Sequence, residues 1–146
     1  MIDVVDKATR SRMMSGIKGK NTRPEVFLRQ SLHGFGIRYR LGGAGLPGRP
    51  DLVLPSRRIA IFVHGCFWHK HDCRAFKWPK SNRSFWRKKI DGNAMRDKAN
   101  ARALQGLGWK VLVVWECQLK ATNFKLPNAR IKKVAEKVFS TPRLRK

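Results

Sequence analysis

The sequence predicts an α/β domain with a small mixed sheet flanked by helices, and three observations carry that prediction. Short apolar runs at Asp51–Leu54, Ile59–Val63 and Lys110–Trp115 have the length and β-branched content of buried strands. Stretches around 21–36, 82–107 and 128–138 read instead as helices. The chain has 146 residues, of which 42% are hydrophobic, enough for one packed core. A single domain over 1–146 is therefore expected, with a basic N-terminal helix near 7–15 and a basic C-terminal segment over 120–146.

The elements follow in order. Residues 7–15 carry no strong apolar stripe, but their composition permits a basic helix. Asn21-Thr22-Arg23-Pro24-Glu25 looks like a helix start: Asn21 or Thr22 can cap, and Pro24 and Glu25 suit the first turn. Leu28, Leu32 and Phe35 follow at helical spacing, and Gly34 and Gly36 close the segment. Ile37–Leu41 alternates apolar and basic residues, as a half-buried strand would. Gly42–Gly48 is a glycine-rich loop without the Lys-Ser/Thr that a phosphate-cradling loop requires. Residues 82–107 read as one or two helices interrupted near Asp91-Gly92, and 128–138 as a last helix before a basic, frayed end.

Charge narrows the partner. Lys and Arg number 33 against nine Asp plus Glu, a net charge of +24. Such an excess repels itself and calls for a polyanion, of which nucleic acid is the first candidate. No apolar run reaches 18 residues and no leader pattern opens the chain, so a cytoplasmic rather than membrane protein is expected. Three cysteines cannot close into a disulfide framework.

Cys66-Phe-Trp-His-Lys-His-Asp-Cys73 is the most informative stretch. Cys66, His71, Cys73 and Cys117 together offer the thiolate and imidazole ligands of a closed tetrahedral zinc site. The competing reading makes the cysteines small buried hydrophobes. Asp51, at a strand start amid apolar neighbours, would be costly unpaired, and it suits a Mg²⁺ site of the nuclease kind. The bland alternative is a turn aspartate bonded to backbone. His64, His69 and His71 fall within eight positions, and His69 has the pKa class for proton transfer. His33 has no such company and reads as structural.

Trp86, Lys89 and Asn93 share one helix face if the helix persists past Gly92, setting an aromatic, a cation and a bidentate amide side by side. Otherwise Phe85 or Trp86 packs on the sheet. Lys70 to Lys98 holds ten Lys or Arg against three Asp, which is either a nucleic-acid face or a solvated one.

Leu46-Pro-Gly-Arg-Pro-Asp51, Phe62-Val-His-Gly-Cys-Phe-Trp-His69, His71-Asp-Cys73, Phe85-Trp86, Gly108–Cys117 and the N-terminal Asp6–Ser11 resemble the very-short-patch repair (Vsr) endonucleases. The resemblance spans most of 6–117 and implies a restriction-endonuclease-like fold with structural Zn²⁺. It implies Mg²⁺-dependent nicking of double-stranded DNA 5′ of the thymine in a T·G mismatch left by 5-methylcytosine deamination. By position, Asp51 and the backbone carbonyl of Val63 would hold Mg²⁺, in two ions. His69 would be general base or acid, oriented by Glu25, with His64 and Asp97 placing water or phosphate. Phe67, Trp68 and Trp86 would wedge into the stack from the major groove and Met14 from the minor groove, while Lys89 and Asn93 meet the mismatched pair. Cys66, His71, Cys73 and Cys117 would hold zinc.

The resemblance further implies a monomer, a companion cytosine-5 methyltransferase and partner repair proteins. Val63 stands where the family often has Thr, and His69-Lys-His-Asp72 replaces a histidine run. The competing functions are a zinc-stapled DNA-binding protein without chemistry and a restriction-type nuclease acting on paired DNA.

Overall fold

The computed structural model describes residues 22–43, 45–74 and 76–144. The helix expected near 7–15, with Met14, lies outside the described residues, as does Asn21.

Helix α1 (Arg23–Gly34) starts where Thr22 Oγ1 accepts from the Glu25 N–H at 3.4 Å. Its apolar stripe buries Leu28 and Leu32, while Phe35 falls at the C-cap and stays 43% exposed, off the expected stripe. Gly36 then turns the chain at φ 82°, a conformation costly for any side chain.

The sheet runs β1 (Arg40–Leu41), β2 (Leu52–Leu54), β3 (Ile59–His64) and β4 (Lys110–Trp115), adjacent in that order. Pairing is antiparallel up to β3 and parallel between β3 and β4, where His64 sits opposite Trp115. The strand expected over 37–41 shrinks to Arg40–Leu41 at the sheet edge, since only those residues reach β2.

Alternation along the strands sorts side chains to two faces. Leu52, Leu54, Ile59, Ile61, Leu112 and Val114 join Leu28 and Leu32 of α1, together with α3 (Glu116–Lys120) and α4 (Ala129–Ser140), in the main core. Helix α4 contributes Ile131, Val134, Ala135 and Val138, so much of the basic C-terminal segment is a core element. On the other face Ala60 and Phe62 meet Leu104 of α2 (Arg83–Gly106), with Val111 and Val113 beside them.

Helix α2 runs unbroken for 24 residues, correcting the interruption expected at Asp91-Gly92. One interior glycine costs about 1 kcal/mol, too little to break six turns already nucleated on both sides. Within α2 only Ile90 and Leu104 are buried, so most of its basic surface faces solvent. Among the described residues no helix is long and apolar enough to cross a membrane.

Candidate active site

The end of the sheet gathers the start of β2 and the ends of β3 and β4. Pairing of β2 with β3 stops at Leu52–Ile61. One residue earlier, Asp51 turns its carboxylate onto the ladder, and the Val63 N–H donates to its Oδ2 at 2.7 Å. That bond is what the bland turn-aspartate reading required. The carboxylate nevertheless also lines a cleft of about 280 Å³ with Thr22, Glu25, His69 and Glu116. Burial, and then the nearby Glu25 charge, push the Asp51 carboxyl up to about 6, against the lowering effects of the Val63 bond and of His69. A buried acid raised in this way is poised for a cation.

His69 comes from the turn after β3. Its Nδ1 lies 2.6 Å from Asp97 Oδ2 on α2. A carboxylate only accepts, so the neutral ring carries its proton on Nδ1 and leaves Nε2 as an acceptor. The carboxylate on this nitrogen is thus Asp97, where the resemblance gave the orienting role to Glu25. The reason is that α2 continues through Gly92 and brings Asp97 behind the ring. Glu25 is buried on the cleft that Asp51 shares, and its Oε1 lies 3.7 Å from Arg29.

His64, by strand alternation, points to the α2 face and is buried. Its ring stacks on His69 at 3.8 Å and 3°. Burial, then the His69 charge, hold His64 down at about 4, against the raising effect of Asp97, so it is neutral at pH 7. The ligand atoms of His64, His69 and Asp97 lie within 4.8 Å of one another. Parallel rings nevertheless put their lone pairs in parallel planes, so both imidazoles cannot meet one ion as stacked. The trio is better suited to holding a proton than a metal.

Cys66, His71, Cys73 and Cys117 do converge, with all four ligand atoms within 4.8 Å. Cys66 and Cys117 each follow the paired strand ends, His64 and Trp115, by two residues. The loop from Cys66 to Cys73 is drawn tight by the His71 N–H bond to the Cys66 carbonyl (3.0 Å) and turned by Lys70 at φ 53°. Burial, chiefly, pushes the Cys66 thiol up to about 12, and burial raises Cys117 as well. Crowded thiols resist ionising together, and a divalent ion at their centre reverses that. Three sulfurs and one imidazole in tetrahedral reach fit zinc.

Beside the cluster, Phe67 and Trp68 meet Trp86 of α2, with centroids 5.4 and 5.9 Å away. Trp86 thus packs into the loop aromatics, and Phe85 stays 50% exposed, so the alternative of packing on the sheet gives way to this cluster. Asn93 Nδ2 donates to the Trp68 carbonyl at 2.9 Å, fixing the aromatic loop to α2. Lys89 is exposed one turn earlier, and His33 is exposed at the end of α1, away from the site.

Sequence reasoning missed two residues here. Glu116 lines the Asp51 cleft, and its signal was its place just after a strand parallel to β3, where α/β sites open. Trp115, stacked on His71 at 4.0 Å and 7°, had no signal of its own, since a strand tryptophan reads as core.

The family model for DNA mismatch endonuclease Vsr matches residues 2–75. The DNA mismatch endonuclease Vsr of Escherichia coli is 49% identical over 120 residues, covering 82% of this chain and 77% of its own. The type II nicking enzyme V.XorIIP of Xanthomonas oryzae pv. oryzae is 48% identical over 119 residues, 82% of this chain and 88% of its own. The type II nicking enzyme V.NmeAIP of Neisseria meningitidis is 44% identical over 120 residues, 82% of this chain and 86% of its own.

Proposed function

The chain belongs to the Vsr family of DNA mismatch endonucleases, and on that premise we propose that it nicks double-stranded DNA 5′ of the thymine in a T·G mismatch, opening very-short-patch repair. The observation that carries the reading is one cleft holding the Asp51 carboxylate and the His69 ring, with Asp97 behind the ring. We read the sheet, with Asp51 at the head of β2, as a restriction-endonuclease-like core.

In this reading Asp51 and the Val63 carbonyl hold Mg²⁺, in two ions, with water and DNA phosphates completing the shells. The metal supplies Lewis-acid stabilisation of charge on the attacking and leaving oxygens. His69 accepts a proton at Nε2, and Asp97 stabilises the imidazolium that results. His64 fixes the ring of His69 from one side, so both move as a unit toward water and phosphate. Glu25, buried beside Asp51, helps hold that pair in register. Val63 keeps the backbone carbonyl that its Thr counterpart would offer.

Phe67, Trp68 and Trp86 enter the base stack as a wedge already packed in the free protein. Lys89 and Asn93 reach the mismatched pair, and Met14 approaches from the minor groove. A wedge costs a few kcal/mol of unstacking per step, and a mismatch already stacks weakly, so selectivity follows from the lower cost of deforming it. Zinc at Cys66, His71, Cys73 and Cys117 holds the wedge loop against β4. The protein acts as a cytoplasmic monomer. Its substrate arises from a cytosine-5 methyltransferase, and its nicked product passes to repair proteins.

The test is nicking of end-labelled duplexes with a central T·G or T·A pair, in several flanking contexts, with Mg²⁺ or EDTA. A Mg²⁺-dependent nick 5′ of the mismatched T, absent from T·A, is the expected result. Equal cutting of both duplexes would replace it with the restriction-type reading, and binding without cutting with the non-catalytic one.

Asp97→Asn gives a second check. An amide offers Nδ1 of His69 a donor as readily as an acceptor, which favours the wrong tautomer. The nicking rate is expected to fall about 100-fold or more, with DNA affinity changed less than about threefold. A rate within threefold of wild type would remove Asp97 from the proton path.

A further inference from the structure

We propose that Trp115 is a positioning residue that transmits the geometry of the Cys66–His71–Cys73–Cys117 cluster to the His64–His69 pair. The proposal deepens the nicking function above, and its activity arm rests on that reading.

The rings form a continuous path. His71, whose Nδ1 lies 3.5 Å from Cys117 Sγ, stacks on Trp115 at 4.0 Å and 7°. Trp115 meets His64 edge-on at 5.2 Å and 70°. His64 then stacks on His69 at 3.8 Å and 3°. The backbone makes the path rigid, because parallel register sets His64 and Trp115 side by side, and a cluster cysteine lies two residues beyond each.

Two further observations make ring packing decisive. Buried His64 Nδ1 has no hydrogen-bond partner among the described residues, so no bond at that atom fixes the ring's rotation. The α2 side of the histidines opens on a cleft of about 500 Å³, lined by Phe62, Val111, Val113 and Ala101 among others, so the rings have room to move. Phe62 (5.5 Å, 53°) and Trp115 brace His64 on that side. A ring tilted into the cleft would carry its stacked partner with it and pull His69 away from its bond to Asp97.

The experiment compares Trp115→Leu, Trp115→Phe, His71→Cys and the double variant His71→Cys/Trp115→Leu. It reads metal content, DNA affinity, single-turnover nicking, and the imidazole ¹⁵N resonances of His64 and His69 at one fixed pH. Trp115→Leu is expected to keep its metal and to bind DNA within about twofold. Its nicking should slow about 10- to 100-fold, the scale on which sub-ångström misplacement acts, and the His64 and His69 resonances should shift. Trp115→Phe keeps a ring and should recover to within about threefold of wild type.

His71→Cys keeps four ligands for zinc but removes the stack. It should shift the same resonances, and the double variant should be no slower than the slower single one, because both changes break one path. Imidazole signals unmoved in Trp115→Leu, Trp115→Phe as slow as Trp115→Leu, or loss of metal in Trp115→Leu would each overturn the proposal. So would a fully additive double variant. If the wild type nicks no DNA, the function fails, and the resonances of the free protein still decide whether Trp115 positions the histidines.

Discussion

Asp51→Asn is expected to lower nicking at least about 10³-fold while making the metal-free protein more stable. The two effects have one cause. Asp51 is packed at the head of β2, where burial holds its carboxyl near 6 against 3.8 for a free aspartate. The folded state therefore binds more protons than the unfolded state between those values. Stability falls as pH rises from about 4 to about 6 and stays low above, by about 1–3 kcal/mol once partial solvent access is allowed for. The amide removes the charge and still accepts the Val63 N–H.

Thermal unfolding in Mg²⁺-free buffer at pH 7.5 should show Asp51→Asn melting several degrees above wild type, with the difference gone near pH 4. Mg²⁺ should stabilise wild type more at pH 7.5 than at pH 5, since it binds the ionised acid, and should leave the Asn variant unchanged. A variant that nicks at the wild-type rate would remove Asp51 from the chemistry. A variant less stable than wild type at pH 7.5 would show that its carboxylate serves only the fold.

Cys66→Ser is expected to release the metal and unfold most of the protein at 37 °C. Cys66 is 1% exposed, two residues past the end of β3, and Cys117 lies two residues past the end of β4, so the cluster ties together the ends of the parallel pair. Binding energy at a structural zinc site is folding energy, about 10 kcal/mol or more in small zinc domains. Mass spectrometry under native conditions should give one Zn²⁺ per wild-type chain and none in the variant, with far-UV circular dichroism following the loss. If wild type carries no zinc and Cys66→Ala costs only about 1–2 kcal/mol, the cysteines are small core residues and the loop is held by packing alone.

The strands and helices were largely legible because burial leaves a period: Ile59–Val63 is a nearly continuous buried run, Lys110–Trp115 buries alternate residues at Leu112 and Val114, and Leu28 and Leu32 fall one helical turn apart. Where local signals conflicted, the tertiary structure chose. Gly92 marked a break in α2, but its neighbours on both sides were already helical. Ile37–Leu41 alternated like a strand, but only Arg40–Leu41 had a neighbour to pair with. Trp86 could have turned to the sheet or away from it, and it meets Phe67 and Trp68, which a loop brings to the same place.

The sequence by itself determined the chemical inventory: a strongly cationic chain, four zinc-type ligands with no cysteine left over, a lone strand-start aspartate, three clustered histidines and the motifs of the Vsr family. Residue types and local spacing suffice for that, because ligand chemistry and secondary-structure period are local properties. Folding settled which of these residues touch. It set Asp97 rather than Glu25 on His69 Nδ1, laid His64 under His69, and placed Trp115 between the cysteine cluster and the histidines. Apart from the His64–His69 stack, these contacts join residues 28 to 51 positions apart, and they depend on strand register and on the unbroken run of one long helix. Both are set by the global burial of the sheet, which no short window of sequence encodes.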